Sequence, residues 1–210
     1  MTFPTCPPVQ HLRRLAMATC MLTATLAHAQ VEQAALARLA ALQASPESAG
    51  ALVYRGATFA QRAPAGDPLY RYERRVQPVA DGLLASHLTS DPSGRVIMVE
   101  SATISAHYQM RRFEAVNQQA GYAGSAQLSP DGRQLTYELN DNGKVTTATE
   151  EVSDPVISGP SMFGFILKHW ETLQAGASLP VRMLVLKDKT TYGFEVKHEK
   201  QANGQASFTV

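Results

Sequence analysis

The stretch "SPDGRQLTYELNDNGK", residues 129–144, decides the fold class of this chain. Its central part alternates apolar and polar residues, so that Leu135, Tyr137 and Leu139 share one face, as in a β-strand with one buried side. A turn sequence stands on each side, "SPDG" before the strand and "DNG" after it, and both contain residues that tolerate positive φ. A strand between two tight turns predicts consecutive antiparallel hairpins.

The same period of two recurs along the chain. The segment "LYRYERRV", which begins at Leu69, places Tyr70 and Tyr72 on one face, and "TYGFEV" groups Tyr192 with Phe194. Turn sequences separate these runs, and their spacing predicts about eight to ten strands. We therefore expect a mainly β fold: a curved antiparallel sheet or an open β-barrel or half-barrel, in a single domain over residues 51–210.

One segment, "GPSMFGFILKHWETLQAG" at residues 159–176, has the period of a helix. Pro160 suits a first helical position and Gly176 the residue just past the end, which predicts a helix over residues 161–175. Its apolar stripe consists of Phe163, Ile166, Leu167, Trp170 and Leu173. The next strand, "LPVRMLVLKD", is apolar on both faces, and we expect the helix to cover one of them.

The first 29 residues have the pattern of a secretory signal peptide. Arg13 and Arg14 precede an apolar run that is too short to span a bilayer, and "AHA" at residues 27–29 offers a cleavage site after Ala29. The expected location is the periplasm. Two other interpretations stay open, namely a lipoprotein signal at Cys20 and a twin-arginine signal at Arg13 and Arg14.

Cleavage would remove Cys6 and Cys20 and leave a mature chain without thiols, and hence without disulfides. The formal net charge of the whole chain is only +1, which argues against nucleic acid as a partner. No second apolar stretch is long enough for a membrane span. Residues 30–50 are Ala-rich with helical spacing and predict an N-terminal helix or leader. The last residues, "GQASFTV", suggest either a strand that closes the sheet or a protein that continues.

No sequence motif identifies a catalytic centre, a metal site or a cofactor, and we predict none of them. The elbow of serine hydrolases and the glycine-rich phosphate loop are both missing from the sequence. Glu150, Glu151 and Asp154 form the densest acidic patch, which we interpret as a solvated strand end. The four histidines after the leader are expected to face solvent: His87, His107, His169 and His198.

Two segments resemble a family of exported proteobacterial proteins of uncharacterised function. They are "LYRYER" at residues 69–74 and "FILKHWETLQAG", which keeps the spacing of Phe165, Trp170, Leu173 and Gly176. The aromatic strand "TYGFEV" follows them, and the resemblance covers roughly residues 67–200. It implies an exported, β-rich domain and no reaction. Members of that family continue through several more strands, which favours a natural protein longer than this chain.

Three functions fit these patterns. The first is a non-catalytic carrier that binds a lipid or another apolar ligand inside the curved sheet. The second is an envelope scaffold or protein-interaction domain without a small ligand, and the third is an enzyme whose site is not visible in sequence. The residues predicted to line a ligand site are all aromatic, with ordinary core packing as the alternative: Tyr70, Tyr72, Trp170, Tyr192 and Phe194.

Overall fold

We describe the fold from a computed structural model, which covers Ala37 and residues 51–60, 66–202 and 205–209. Within these ranges the protein is mainly β, as predicted, with twelve strands in two sheets rather than eight to ten strands in one. The strands of the larger sheet are β1 Leu52–Thr58, β2 Tyr70–Val79, β3 Gly82–Ser90, β4 Val96–Ile104, β5 Met110–Asn117, β6 Tyr122–Leu128, β7 Gln134–Asp141 and β8 Lys144–Glu151. The smaller sheet contains β9 Val156–Ile157, β10 Ser178–Val185, β11 Thr190–Ala202 and β12 Gln205–Thr209.

The larger sheet is an antiparallel meander in which each strand pairs with the next one along the chain, so that its order is β1 to β8. The sheet is not closed into a barrel, because β1 and β8 stand at its two ends. The smaller sheet has the order β12-β11-β10-β9, and only its β9–β10 pair is parallel. The expected open, antiparallel architecture is confirmed, with a second sheet added to it.

The turn between β7 and β8 has the geometry that its sequence predicts. Asp141 pairs with Lys144, which leaves Asn142 and Gly143 as a two-residue loop. Both loop residues have positive φ, 49° for Asn142 and 90° for Gly143. A type I′ turn requires this at its two central positions, and Asn followed by Gly adopts it at the lowest cost.

The region between the two sheets is filled with side chains. Tyr137, Met110 and Leu135 of the larger sheet are fully buried and belong to one cluster with Leu184 and Leu186, which come from β10 and the 3₁₀ turn after it. Close packing of side chains against one another accounts for the burial of these residues, and a large internal ligand is not needed to explain it.

Two short helices cover the other side of the smaller sheet: α1, Met162–Lys168, and α2, Trp170–Gln174. Phe165, Ile166 and Leu173 pack there against Val181 of β10 and Val196 of β11. Strand β10 is therefore covered on both faces, as its doubly apolar sequence predicts.

The prediction of one helix with one continuous buried stripe is wrong in detail. The helical backbone is interrupted at His169, whose φ and ψ are −100° and 17°. Phe165, Ile166 and Leu173 are buried, whereas 42% of Phe163 and 55% of Leu167 are exposed. The reason is that α1 lies at a junction: its buried residues face the smaller sheet, and Phe163 and Leu167 face the first strands of the larger one.

A polar network joins the two sheets. Glu150 of β8 accepts hydrogen bonds from the hydroxyl groups of Tyr137 and Thr191, both at 2.7 Å, and from Nη2 of Arg182 at 3.2 Å. Burial by itself would raise the pKa of Glu150, but these hydrogen bonds outweigh it and lower the pKa. The interpretation of Glu150 as part of a solvated strand end is therefore wrong, because β10 and β11 pack over this end of β8.

The predicted signal peptide at residues 1–29 lies outside the described residues, as do residues 30–50 apart from Ala37. No helix in the described ranges is long and apolar enough to cross a membrane.

Candidate functional site

The candidate site is built on the first four strands of the larger sheet. Their register places Tyr54, Arg74, His87 and Glu100 side by side in one row across β1, β2, β3 and β4. Residues two positions away along a strand point to the same face. The neighbouring row therefore brings Leu52, Val76 and Ala85 to this face, and these residues are apolar.

Helix α1 lies over this face. The ring of Phe163 stacks on the ring of Tyr54 with centroids 5.9 Å apart and planes 13° apart. Pro160 lies in the turn that leads into α1. Gly164 lies so close to Tyr108 that an added Cβ would be 2.9 Å from that ring. The helix therefore makes aromatic contacts with the sheet at this side and leaves a space between them.

This space is an apolar groove of about 100 Å³ between the larger sheet and α1. Its residues come from four strands, the β4–β5 turn and the helix: Leu52, Tyr54, Val76, Pro78, Leu83, Ile104, Tyr108, Pro160, Phe163, Gly164 and Leu167. All are apolar or aromatic. Leu52, Tyr54, Phe163 and Leu167 are also exposed, so the groove continues into an apolar surface.

Arg74 lies at one end of the groove. Its guanidinium carbon is 4.9 Å from the centroid of the Phe163 ring and 5.6 Å from that of Tyr72. The Nε–H group is buried and has no acceptor. Burial lowers the pKa of Arg74, while the nearby Tyr72 and Glu100 act in the opposite direction. The groove therefore ends at a half-buried cation.

The next residues in the row, His87 and Glu100, contact each other. Nδ1 of His87 is 3.3 Å from Oε2 of Glu100, and the edge of the His87 ring meets the ring of Tyr72. Only 12% of the His87 side chain is exposed, so the expectation that His87 faces solvent is wrong. The reason is that His87 lies in this row, where Tyr72 and Glu100 of the neighbouring strands cover its ring.

Of the other three histidines, one is exposed and two are partly covered. His107 is exposed, as expected. The rings of His169 and His198 are instead partly covered. The centroid of the His169 ring is 4.6 Å from that of Phe165, and the centroid of the His198 ring is 5.7 Å from that of Trp170. Burial and the neighbouring charge of Lys168 lower the pKa of His169.

In the pockets that the described residues form, the five aromatic residues predicted to bind a ligand do not come together. Tyr70 and Tyr72 lie on β2, where the Tyr70 hydroxyl is near Gln119 and Tyr72 contacts His87. Trp170 packs into the cluster under the helices, and its ring meets that of His198 rather than an open space.

The other two aromatic residues of that prediction are on β11. Tyr192 and Phe194 are 46% and 39% exposed, and the Tyr192 hydroxyl donates to Asp188 at 2.9 Å. A ligand role for the five residues stays a prediction.

Sequence reasoning missed the residues of the groove, although one signal for them was present. Arg74 has the same parity as Tyr70 and Tyr72 in "LYRYERRV", so the alternation already placed this cation on the face that the tyrosines share. Its position beside Phe163 depends on packing between β2 and α1, which are far apart in the chain.

A second, more open cleft of about 700 Å³ lies on the other side of α1. Two of its charged side chains, Asp131 and Lys168, have structural partners. Asp131 accepts a hydrogen bond from Ser129 at 2.6 Å and one from the backbone N–H of Arg133, which lowers its pKa, and Lys168 donates to the carbonyl oxygen of His107. These contacts hold loops together.

In the part of the chain that the structure describes, no group of three or more His, Cys, Asp or Glu side chains is placed to hold a metal ion. Comparisons with protein-family models, with curated proteins and with solved structures find no match for this chain. The site must therefore be interpreted from its own geometry.

Proposed function

We propose that this protein is a non-catalytic binding protein of the cell envelope, and that it holds the apolar chain of a small amphiphile in the groove beneath α1. The observation that supports this most is the lining of the groove, in which every side chain is apolar or aromatic. Export to the periplasm follows from the signal-peptide pattern of residues 1–29 and is part of the proposal.

The size of the groove limits the ligand. A dry cavity of about 150 Å³ is large enough for benzene, so the groove, with a volume of about 100 Å³, takes only a few carbon atoms. The rest of a chain would lie on Leu52, Tyr54, Phe163 and Leu167, whose exposed surfaces it would cover. Eight carbons suit this arrangement better than a whole phospholipid.

We expect weak binding. Each buried CH₂ group contributes about 0.8 kcal/mol, and association costs about 4 kcal/mol or more. Eight buried carbons therefore contribute about 6.4 kcal/mol, and the net free energy of about −2.4 kcal/mol corresponds to a dissociation constant of roughly 20 mM for 1-octanol.

An NMR titration of the methyl groups with 1-octanol tests the proposal. Leu167→Asp places a carboxylate beside the groove and is expected to weaken octanol binding at least about tenfold. The reason is that the bound apolar chain would displace water from the carboxylate without forming hydrogen bonds to it. Leu167 is exposed, so the fold should tolerate the change. Val145→Asp on β8 is the matched control, because it introduces the same residue at an equally exposed position: 54% of Val145 is exposed and 55% of Leu167.

The control variant should bind octanol like the wild type. Equal affinities in both variants, or the absence of shifts at the methyl groups of the groove in the wild type, would show that the groove is not the binding site.

A second candidate function has one observation in its favour. Among the described residues β1 pairs only with β2, so its other edge is available to a strand from a partner protein. Leu52 and Tyr54 are exposed on this strand. An interaction domain that adds a strand at β1 becomes the better explanation if octanol does not bind.

A further inference from the structure

Arg74 is a charged residue beside the apolar groove, and the binding of an apolar chain does not account for its charge. It lies on the inner face of β2, directly opposite Tyr54 of the edge strand and next to His87 of β3. A half-buried charge is costly unless another charge or hydrogen bonds compensate it.

The neighbours of Arg74 hold it in place but do not pair with it. The rings of Phe163 and Tyr72 lie 4.9 and 5.6 Å from its guanidinium carbon and offer no hydrogen-bond acceptors of the strength of a carboxylate. The nearest acid in its row is Glu100, whose carboxylate is 3.3 Å from His87. In the described part of the chain no carboxylate forms an ion pair with Arg74, and its buried Nε–H has no acceptor.

Arg74 lies where one end of a chain bound in the groove would be. Phe163 contacts Arg74 and also lines the groove, so a chain that lies along Phe163 ends beside the guanidinium group. Arg donates several hydrogen bonds in a fixed, planar arrangement that matches a carboxylate. The apolar lining and the terminal cation together complement a chain with an anionic end.

We propose that Arg74 binds the carboxylate of the ligand, so that the protein selects medium-chain carboxylic acids over neutral chains of the same length. This inference rests on the proposed function, since it needs the apolar chain to occupy the groove. The acid end binds at Arg74, and the chain runs from there past Phe163 toward Leu167.

A comparison of octanoate with 1-octanol at about pH 8, where the acid is ionised, tests the inference. The two probes share the apolar chain and differ in charge. We expect the wild type to bind octanoate at least about tenfold more tightly than 1-octanol, because a charge-assisted hydrogen bond is strong in a partly dry site. Methyl NMR titration gives both dissociation constants.

Two variants assign the preference to Arg74. Arg74→Met keeps the length of an apolar stem and removes the charge, so the two probes should bind it with affinities equal to within about twofold. Arg74→Lys keeps the charge but loses the planar arrangement of donors, so it should retain only part of the preference for octanoate. Circular dichroism and the urea midpoint establish that each variant is folded, and the octanol constant shows whether the groove is intact.

The outcomes separate the two proposals. If the wild type binds both probes equally, or if Arg74→Met keeps the preference, the role of Arg74 is wrong although the groove binds chains. If neither probe binds the wild type, the proposed function itself is wrong. Because the wild-type comparison needs no variant, the test stands even if Arg74→Met does not fold.

Discussion

Replacing Leu173 by Ala is expected to lower the free energy of unfolding by about 3 kcal/mol. The Leu173 side chain is fully buried between α2 and the smaller sheet, in one cluster with Val181 and Val196. Truncation leaves a cavity there that the short helices can close only in part. Urea denaturation followed by circular dichroism measures the effect.

Leu167→Ala is the matched control for this experiment. It is the same substitution in the same segment, but Leu167 is 55% exposed, so we expect a loss below about 1 kcal/mol. Similar losses for the two variants would mean that α1 and α2 do not cover the smaller sheet as described. The stripe that the sequence pattern predicted contains both leucines, so a large loss at both positions is the result that the sequence pattern alone would give.

Replacing Glu150 by Ala is expected to cost about 2–4 kcal/mol. The change removes the acceptor of the buried Tyr137 hydroxyl and leaves Arg182 without its carboxylate, in a network that joins β7 and β8 to β10 and β11. The pair is partly accessible, with 18% and 27% of the two side chains exposed, so the loss lies below that of a fully buried pair. The urea midpoint gives the result.

Glu151→Ala on the same strand is the control, because Glu151 points to the opposite face and is exposed. Its expected effect is below about 0.5 kcal/mol. Glu150→Gln separates charge from hydrogen bonding: it keeps an acceptor for Tyr137 and should recover part of the loss. Equal effects of the two alanine variants would show that the network contributes nothing to the joining of the sheets.

Local sequence signals predicted the fold class because hairpins depend on neighbours in the chain. The turn "DNG" needs only the conformational freedom of Asn142 and Gly143, and the alternation of Leu135, Tyr137 and Leu139 records which face is buried. Both features were correct. Gly176, predicted to follow the helix, has a φ of 92° just beyond α2.

The candidate site could not be predicted in the same way, because it depends on contacts between distant segments. The apolar stripe of "GPSMFGFILKHWETLQAG" indicated that a helix face is covered, but it did not show that two different sheets lie against α1. The pattern therefore grouped Phe163 and Leu167 with Leu173, whereas the structure places them on the groove. The burial of His87 and Glu150 likewise depends on what packs over their strands.

Intermolecular NOEs between 1-octanol and the ¹³C-labelled protein test most directly whether the groove is a ligand site. We expect NOEs from the chain protons of octanol to the methyl groups of Leu52 and Leu167, which stand on opposite sides of the groove, and none to those of Val145 on β8. At the highest octanol concentration that stays in solution, the absence of NOEs to Leu52 and Leu167, or NOEs of equal strength to Val145, would contradict binding in the groove.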